Sequence, residues 1–187
     1  MDSQTQGNKT ILIDLDDVLT DMLFEWVRWL NILFNLSVDY KQIKDWNMSL
    51  TYPTLTNEEI FKPLNSEGFW KKVHTRTDAI KYVKKLYNDC YNIYIVTATK
   101  PYLMEYKMKY CINPYFPYID YSHIIISSNK QMIKGDVLID DNPNNLVGGE
   151  YKKILFNKSH NVNDRDNPEF HCADDWEEVY KIIKEIL

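Results

Sequence analysis

Apolar residues along this chain gather in short dense runs, and the stretches between them carry helical spacing. Residues 10–15 (TILIDL) are rich in Ile and Leu and give way abruptly to acids. A short run that is apolar throughout, rather than alternating, reads as a parallel strand buried on both faces. Runs of the same type recur at residues 93–97 (IYIVT), 123–127 (HIIIS), 136–140 (DVLID) and 152–156 (KKILF). Between them, Thr77 stands where it can cap a helix carrying Ile80, Val83 and Tyr87 on one face. Pro101 suits the first turn of a helix with Leu103, Tyr106 and Tyr110. From Asp174 onward, Trp176, Val179, Ile183 and Ile186 recur at helical spacing.

Strands alternating with helices predict an α/β fold built on a parallel sheet. The interval between the first two runs is too long for one helix. It holds a helical stretch at residues 22–34, an aromatic-rich segment at 40–52, and the capping box Thr56-Asn57-Glu58-Glu59 ahead of Ile60 and Phe61. We therefore divide the chain into a core of residues 1–20 and 73–187 and an inserted helical cap of residues 21–72. Residues 1–8 are polar and are expected to be disordered.

Composition narrows the picture. The 187 residues suit one domain or one core with a small insertion, and 44% hydrophobic with 26% charged residues is ordinary for a globular protein. A net charge of −5 argues against a nonspecific grip on nucleic acid or an anionic membrane, so neither is an expected partner. No signal peptide precedes the first strand, and no apolar run is long enough to span a bilayer. Cys90, Cys111 and Cys172 are scattered and odd in number, which suggests neither a disulfide framework nor a zinc site. Free thiols fit a reducing cytosol, and the expected location is cytoplasmic.

In a parallel sheet of this kind, ligands bind beyond the carboxyl ends of the strands. The polar residues there are Asp14, Asp16 and Asp17 after the first run, Thr97 and Thr99 after the second, and Asp140 and Asp141 after the fourth, with Lys130 in the loop after the third. Carboxylates gathered in one place repel unless a cation sits among them, and hard oxygen donors without His or Cys point to Mg²⁺. A phosphate could bridge that metal while Lys130 and a threonine hydroxyl neutralise its other oxygens. A carboxylate outside the metal's needs can attack phosphorus, and a second one two residues on can shuttle the proton. Each residue taken singly has a plainer reading: a turn or helix cap for the aspartates, a structural hydroxyl for Thr97, a solvated charge for Lys130. All of them falling at strand ends in this order requires several coincidences under that reading.

The same residues resemble a known family. ILIDLDDVLT is similar to the first motif of the haloacid dehalogenase superfamily, IVTAT to its second, Lys130 within SSNKQMIKGD to its third, and VLIDDNP to its acidic fourth. Within that superfamily, DLDDVLTD, Asp45-Trp46 and NKQMIKGDVLIDDNP most resemble the 5′(3′)-deoxyribonucleotidases. The resemblance implies a Rossmann-like sheet in the order 5-4-1-2-3 with a small helical cap. It implies Asp14 as nucleophile, Asp16 as general acid and base, and Thr97, Ala98 and Lys130 at the phosphate. It implies Mg²⁺ held by Asp14, Asp140 and the backbone carbonyl of Asp16, with Asp141 behind them. Two departures stand out: Asp17 occupies a position where many relatives have Gly, and Ala98 one where some carry Ser.

Aromatic residues make up 14% of the chain, and the inserted segment is dense in them. Phe24, Trp26 and Trp29 share an apolar helical stretch and read as core. Trp46 lies in an irregular polar segment, and Phe61 and Phe69 flank Gly68; these three are the expected walls for a nucleobase. The expected substrate is a small nucleotide, a deoxyribonucleoside monophosphate with a pyrimidine base above all, and a homodimer is compatible with the chain. Competing readings are a phosphatase for phosphosugars, phosphoprotein or nucleic-acid ends, a phosphorylation-receiver domain, and a noncatalytic nucleotide-binding module. A receiver needs its acceptor Asp after the third strand, where this chain has Ser127-Ser128.

Overall fold

The computed structural model describes residues 8–187. The first seven residues, and with them most of the segment expected to be disordered, lie outside the described residues. Strand β1 (Thr10–Asp14) is followed by α1 (Met22–Phe34) and three short helices, α2 (Met48–Thr51), α3 (Asn57–Phe61) and α4 (Glu67–Trp70). Then come α5 (Thr77–Asn88), β2 (Asn92–Thr97), α6 (Met104–Lys107), β3 (Ile124–Ile126), β4 (Val137–Asp140), α7 (Pro143–Leu146), β5 (Lys152–Phe156), β6 (Phe170–Ala173) and α8 (Trp176–Ile186).

The strands form one sheet in the order β3-β2-β1-β4-β5-β6, every pairing parallel. The expected order 5-4-1-2-3 is contained in it, and β6 extends the edge beyond β5. That sixth strand reads FHCA, with His171 exposed, and so lacks the unbroken apolar run that marks the others in the sequence. Ile11, Leu12, Ile13, Val137, Leu138 and Ile139 have no exposed surface, as the unbroken apolar runs of β1 and β4 require when both faces are covered. The chain winds outward from β1 through β2 to β3, then returns to β4 on the other side of β1. The crevice at this reversal lies beyond the ends of β1 and β4, where Asp14 and Asp140 are the last strand residues.

Helix α1 buries Met22, Leu23, Trp26, Val27 and Leu30, and ends at Asn35 in the left-handed conformation (φ 51°). Phe24 departs from the expectation of a core residue: it points away from that stripe and is 47% exposed. The capping box at Thr56 forms, with the Glu59 N–H donating to Thr56 Oγ1 at 3.3 Å and the Thr56 N–H donating to Glu59 at 2.8 Å. Thr77 is not a cap; it is the first residue of α5, and Arg76 precedes it without a side-chain capping bond. Asp175 caps α8, accepting from the Glu178 N–H at 2.9 Å. Trp176 at the head of α8 donates from Nε1 to the Val18 carbonyl at 3.0 Å, tying the last helix to the loop after β1. Among the described residues, no helix is long and apolar enough to cross a membrane.

Candidate active site

The loop after β1 is shaped by its own sequence. Leu15, Val18 and Leu19 are fully buried, and the Leu15 carbonyl accepts from the N–H groups of Leu19 and Thr20, both at 3.1 Å. Between them Asp17 takes φ 60°, a conformation that Gly adopts freely and Asp tolerates. Its carboxylate turns back and accepts the Leu23 N–H at 3.1 Å, satisfying one of the free donors in the first turn of α1. This accounts for an Asp where glycine is the easier residue. Burial pushes the Asp17 carboxyl up to about 7, despite the opposing pull of Lys158.

With Asp17 turned inward, Asp14 and Asp16 are left to face a cavity of about 340 Å³. Lys130, Asp140, Asp141 and Asn145 share this wall. Asp14, Asp140 and Asp141 each bring a carboxylate oxygen within 4.8 Å of the others. Lys130 is fully buried; its ammonium donates to Asp14 and, at 2.6 Å, to Asp140. Burial raises the Asp14 carboxyl well above the usual range; Lys130 pulls it back, and Asp140, Asp16 and Asp141 push it up again. The Lys130 ammonium is itself held charged: burial works against it, but Asp14 and Asp140 outweigh burial. Asp140 is fixed further by the Asn142 N–H at 2.9 Å and the Asn145 amide at 3.0 Å. Asp141, expected behind the metal, brings its carboxylate alongside the other two while accepting from His160 Nε2 at 2.8 Å. Burial drives the His160 pKa down to about 4, so the ring is neutral at pH 7.

Among the described residues, the group gathered here is three carboxylates without a sulfur or imidazole member, a hard-oxygen donor set that fits a cation such as Mg²⁺.

Lys107 was not anticipated from the sequence. It is 2% exposed, lines the cavity, and donates to Asp16 Oδ2 at 2.5 Å and to Thr97 Oγ1 at 2.9 Å. Its position carried a signal: Leu103, Lys107 and Cys111 are four residues apart, and all three are buried. A lysine in that row needs an anionic partner. Thr97 consequently differs from its expected place. Its side chain is fully buried beneath the cavity and engaged by Lys107, whereas Ala98 and Thr99 reach the wall.

The outer wall is aromatic. Trp26, Trp46, Phe61 and Trp70 line it. Trp26 and Trp70 are locked by their indole N–H groups, which donate to the Ile60 and Leu64 carbonyls at 2.7 and 2.8 Å. Phe61 is half exposed and leans on Trp26, ring centres 5.2 Å apart. Trp46 rests on His160 at 4.5 Å. Phe69 corrects an expectation: it is fully buried, packed edge-on against Trp29 and Trp70, and absent from this wall. Adjacent positions on a helix face different ways, so Trp70 takes the wall and Phe69 the core. Among the described residues, Asp16 Oδ1 and Trp46 Nε1 have no hydrogen-bond partner, leaving an acceptor and a donor unmatched at the cavity.

Comparison with known proteins matches residues 8–186 to the family described as 5′ nucleotidase, deoxy (Pyrimidine), cytosolic type C protein. The chain belongs to this family. It is 32% identical over 173 residues to a 5′(3′)-deoxyribonucleotidase of Bacillus subtilis, covering 91% of this chain and 96% of the relative. The fold is shared with a haloacid dehalogenase family hydrolase from Deinococcus radiodurans, solved with bound phosphate and sodium (TM-score 0.63, 10% identity, 96% of each chain). It is shared too with a magnesium-bound hydrolase of that superfamily from Bacillus subtilis (TM-score 0.57, 15% identity, 95% and 99% covered). The protein is thus a hydrolase of the deoxyribonucleotidase type, and its enzymatic class is phosphatase.

Proposed function

We propose that this phosphatase is Mg²⁺-dependent, acts on deoxyribonucleoside monophosphates with a preference for pyrimidines, and works through an aspartyl phosphate on Asp14. The observation that carries the reading is one cavity lined both by the acids Asp14 and Asp16 and by the rings of Trp26, Trp46, Phe61 and Trp70. A phosphate beside the carboxylates sets a base against the rings. Residues 21–72 act in this reading as a cap that selects the substrate, since the acidic wall engages only the phosphate.

Asp14 attacks phosphorus, the bond to the ester oxygen breaks, and Asp16 delivers a proton to the departing oxygen. Asp16 then takes a proton from water, whose oxygen attacks the aspartyl phosphate and releases inorganic phosphate and Asp14. Lys107 holds Asp16 in place for both transfers. Lys130, Thr99 and the backbone at Ala98 serve the phosphate oxygens. Asp14, Asp140 and the Asp16 carbonyl would hold Mg²⁺, with Asp141 beside them, and the ion would supply positive charge against the phosphate.

The test is phosphate release from a panel of nucleoside monophosphates, phosphosugars and phosphopeptides with Mg²⁺, run beside Asp14→Asn. Pyrimidine deoxynucleotides are expected to lead, and the variant to fold but lose nearly all turnover. Preference for phosphosugars over every nucleotide overturns the substrate; substantial activity in Asp14→Asn overturns the nucleophile.

A further inference from the structure

A second cavity, of about 650 Å³, opens beside the first-strand loop. Asp17 lines it, whereas its neighbour Asp16 lines the catalytic cavity. Lys41, Arg76, Lys158 and Arg165 face this space against the carboxylates of Asp17 and Asp21. Asp17 is occupied by the Leu23 N–H already described. Asp21 is held by Arg76 at 3.1 Å and approached by Lys158 at 3.7 Å. Arg76 gives its other arm to Asp78 at 3.1 Å. Arg165 donates to the Lys158 carbonyl at 2.8 Å, and its Nε has no partner among the described residues. Neither Arg165 nor Lys41 meets a carboxylate among the described residues, so the balance in the cavity is positive. At one side stand two exposed rings, Phe24 and Tyr40, packed edge to face at 5.4 Å. None of these groups has a part in the catalysis proposed above.

Lys41 and Arg165, which meet no carboxylate among the described residues, and Lys158, which holds Asp21 only at 3.7 Å, suit phosphate oxygens, and the rings beside them suit the face of a base. The volume falls in the range of small-molecule sites. We propose that this cavity is a second ligand site that takes a nucleoside polyphosphate, its base against Phe24 and Tyr40 and its phosphates among Lys41, Lys158 and Arg165. A monophosphate alone engages too few of these cations, which are spread over the loop before α2 and the segment after β5.

The probe is thymidine 5′-(β,γ-methylene)triphosphate, which resists hydrolysis, titrated calorimetrically into the full chain in Mg²⁺ buffer. Lys41→Glu and Phe24→Ala alter exposed side chains outside the catalytic cavity, and thermal unfolding checks that each remains folded. Each variant is expected to weaken binding about tenfold or more. Thymidine alone and inorganic triphosphate alone are expected to bind at least about tenfold more weakly than the analogue. Equal affinity of both variants and the wild type overturns the proposal, because the analogue then sits elsewhere. Inorganic triphosphate binding as tightly as the analogue overturns the nucleoside part. Both readouts are independent of turnover, so failure of the phosphatase assignment leaves them interpretable.

Discussion

Asp17→Asn isolates what the buried carboxyl beside the catalytic loop does to stability. Asparagine tolerates φ 60° and keeps an oxygen for the Leu23 N–H, so geometry is preserved while the titration is removed. In the folded protein Asp17 titrates near about 7, against an ordinary value of 3.8. Between those values the folded state holds a proton that the unfolded chain has released. Its stabilisation is therefore fully present below the lower value and is lost as pH rises through the upper one. At about 1.36 kcal/mol per unit, the contribution is about 4 kcal/mol in full and about 3 kcal/mol between pH of about 4.5 and 7.5. His160 works the other way: its folded pKa of about 4 lies below the ordinary 6.5, so the unfolded chain binds more protons and stability rises with pH across that window. The two oppose in the wild type. Asp14 and Asp141, raised like Asp17, act equally in both proteins, so the difference between wild type and Asp17→Asn isolates Asp17. Urea unfolding of both proteins across this range measures the difference. With a slope of about 2 kcal/mol per molar urea, the gap between the midpoints changes by about 1.5 M from one end to the other. Parallel pH dependence in wild type and Asp17→Asn refutes the reasoning.

Lys107→Met is expected to lower kcat on alkyl phosphates by about 100-fold, since a general acid contributes about 10²–10⁴ and this one loses its anchor. p-Nitrophenyl phosphate, whose leaving group needs little protonation, should suffer less, and an unchanged kcat on both substrates contradicts the role. Trp46→Ala should raise KM for dUMP or dTMP about ten- to hundredfold while sparing p-nitrophenyl phosphate, stacking being worth about 1–3 kcal/mol. Phe69→Ala should instead cost about 3–5 kcal/mol of stability, measured by denaturation, because that ring is core. EDTA should abolish activity and Mg²⁺ restore it: three carboxylates within 4.8 Å of one another repel pairwise by at least about 3.5 kcal/mol at an effective dielectric of about 20, and the single charge of Lys130 balances only part of this. Full turnover in EDTA, or restoration by zinc alone, counts against the metal.

The polar end of the site was legible because strands announce their own ends. An apolar run that stops at an acid places that acid at the carboxyl edge of the sheet, and Asp14 and Asp140 needed no more than this. Lys107 was not legible in the same way. It reaches Asp16 only because the segment after β2 passes from 3₁₀ through α6 into a π-turn at Met108–Ile112, and no strand end marks it. The aromatic wall was half legible. The density of rings pointed to it, but which ring faces the cavity depends on rotation of a four-residue helix, and α4 turned Trp70 in and Phe69 away. Asp17 looked like a loose fit in its motif until its backbone conformation and its bond to α1 could be seen. β6 left no pattern at all.

The bond from Trp176 to the Val18 carbonyl spans 158 positions, and this separation has a bearing on how the protein is made. At a synthesis rate of about 5–20 residues per second, about 8–30 s pass between the emergence of Val18 and that of its partner. β4, which flanks β1 and carries Asp140, also arrives late. Until then the ribosome presents the apolar run of β1 and the loop that bears Asp16 with one neighbour missing and no brace. The nascent chain therefore has its longest exposure to chaperones, proteases and wrong partners at the segment that carries its chemistry.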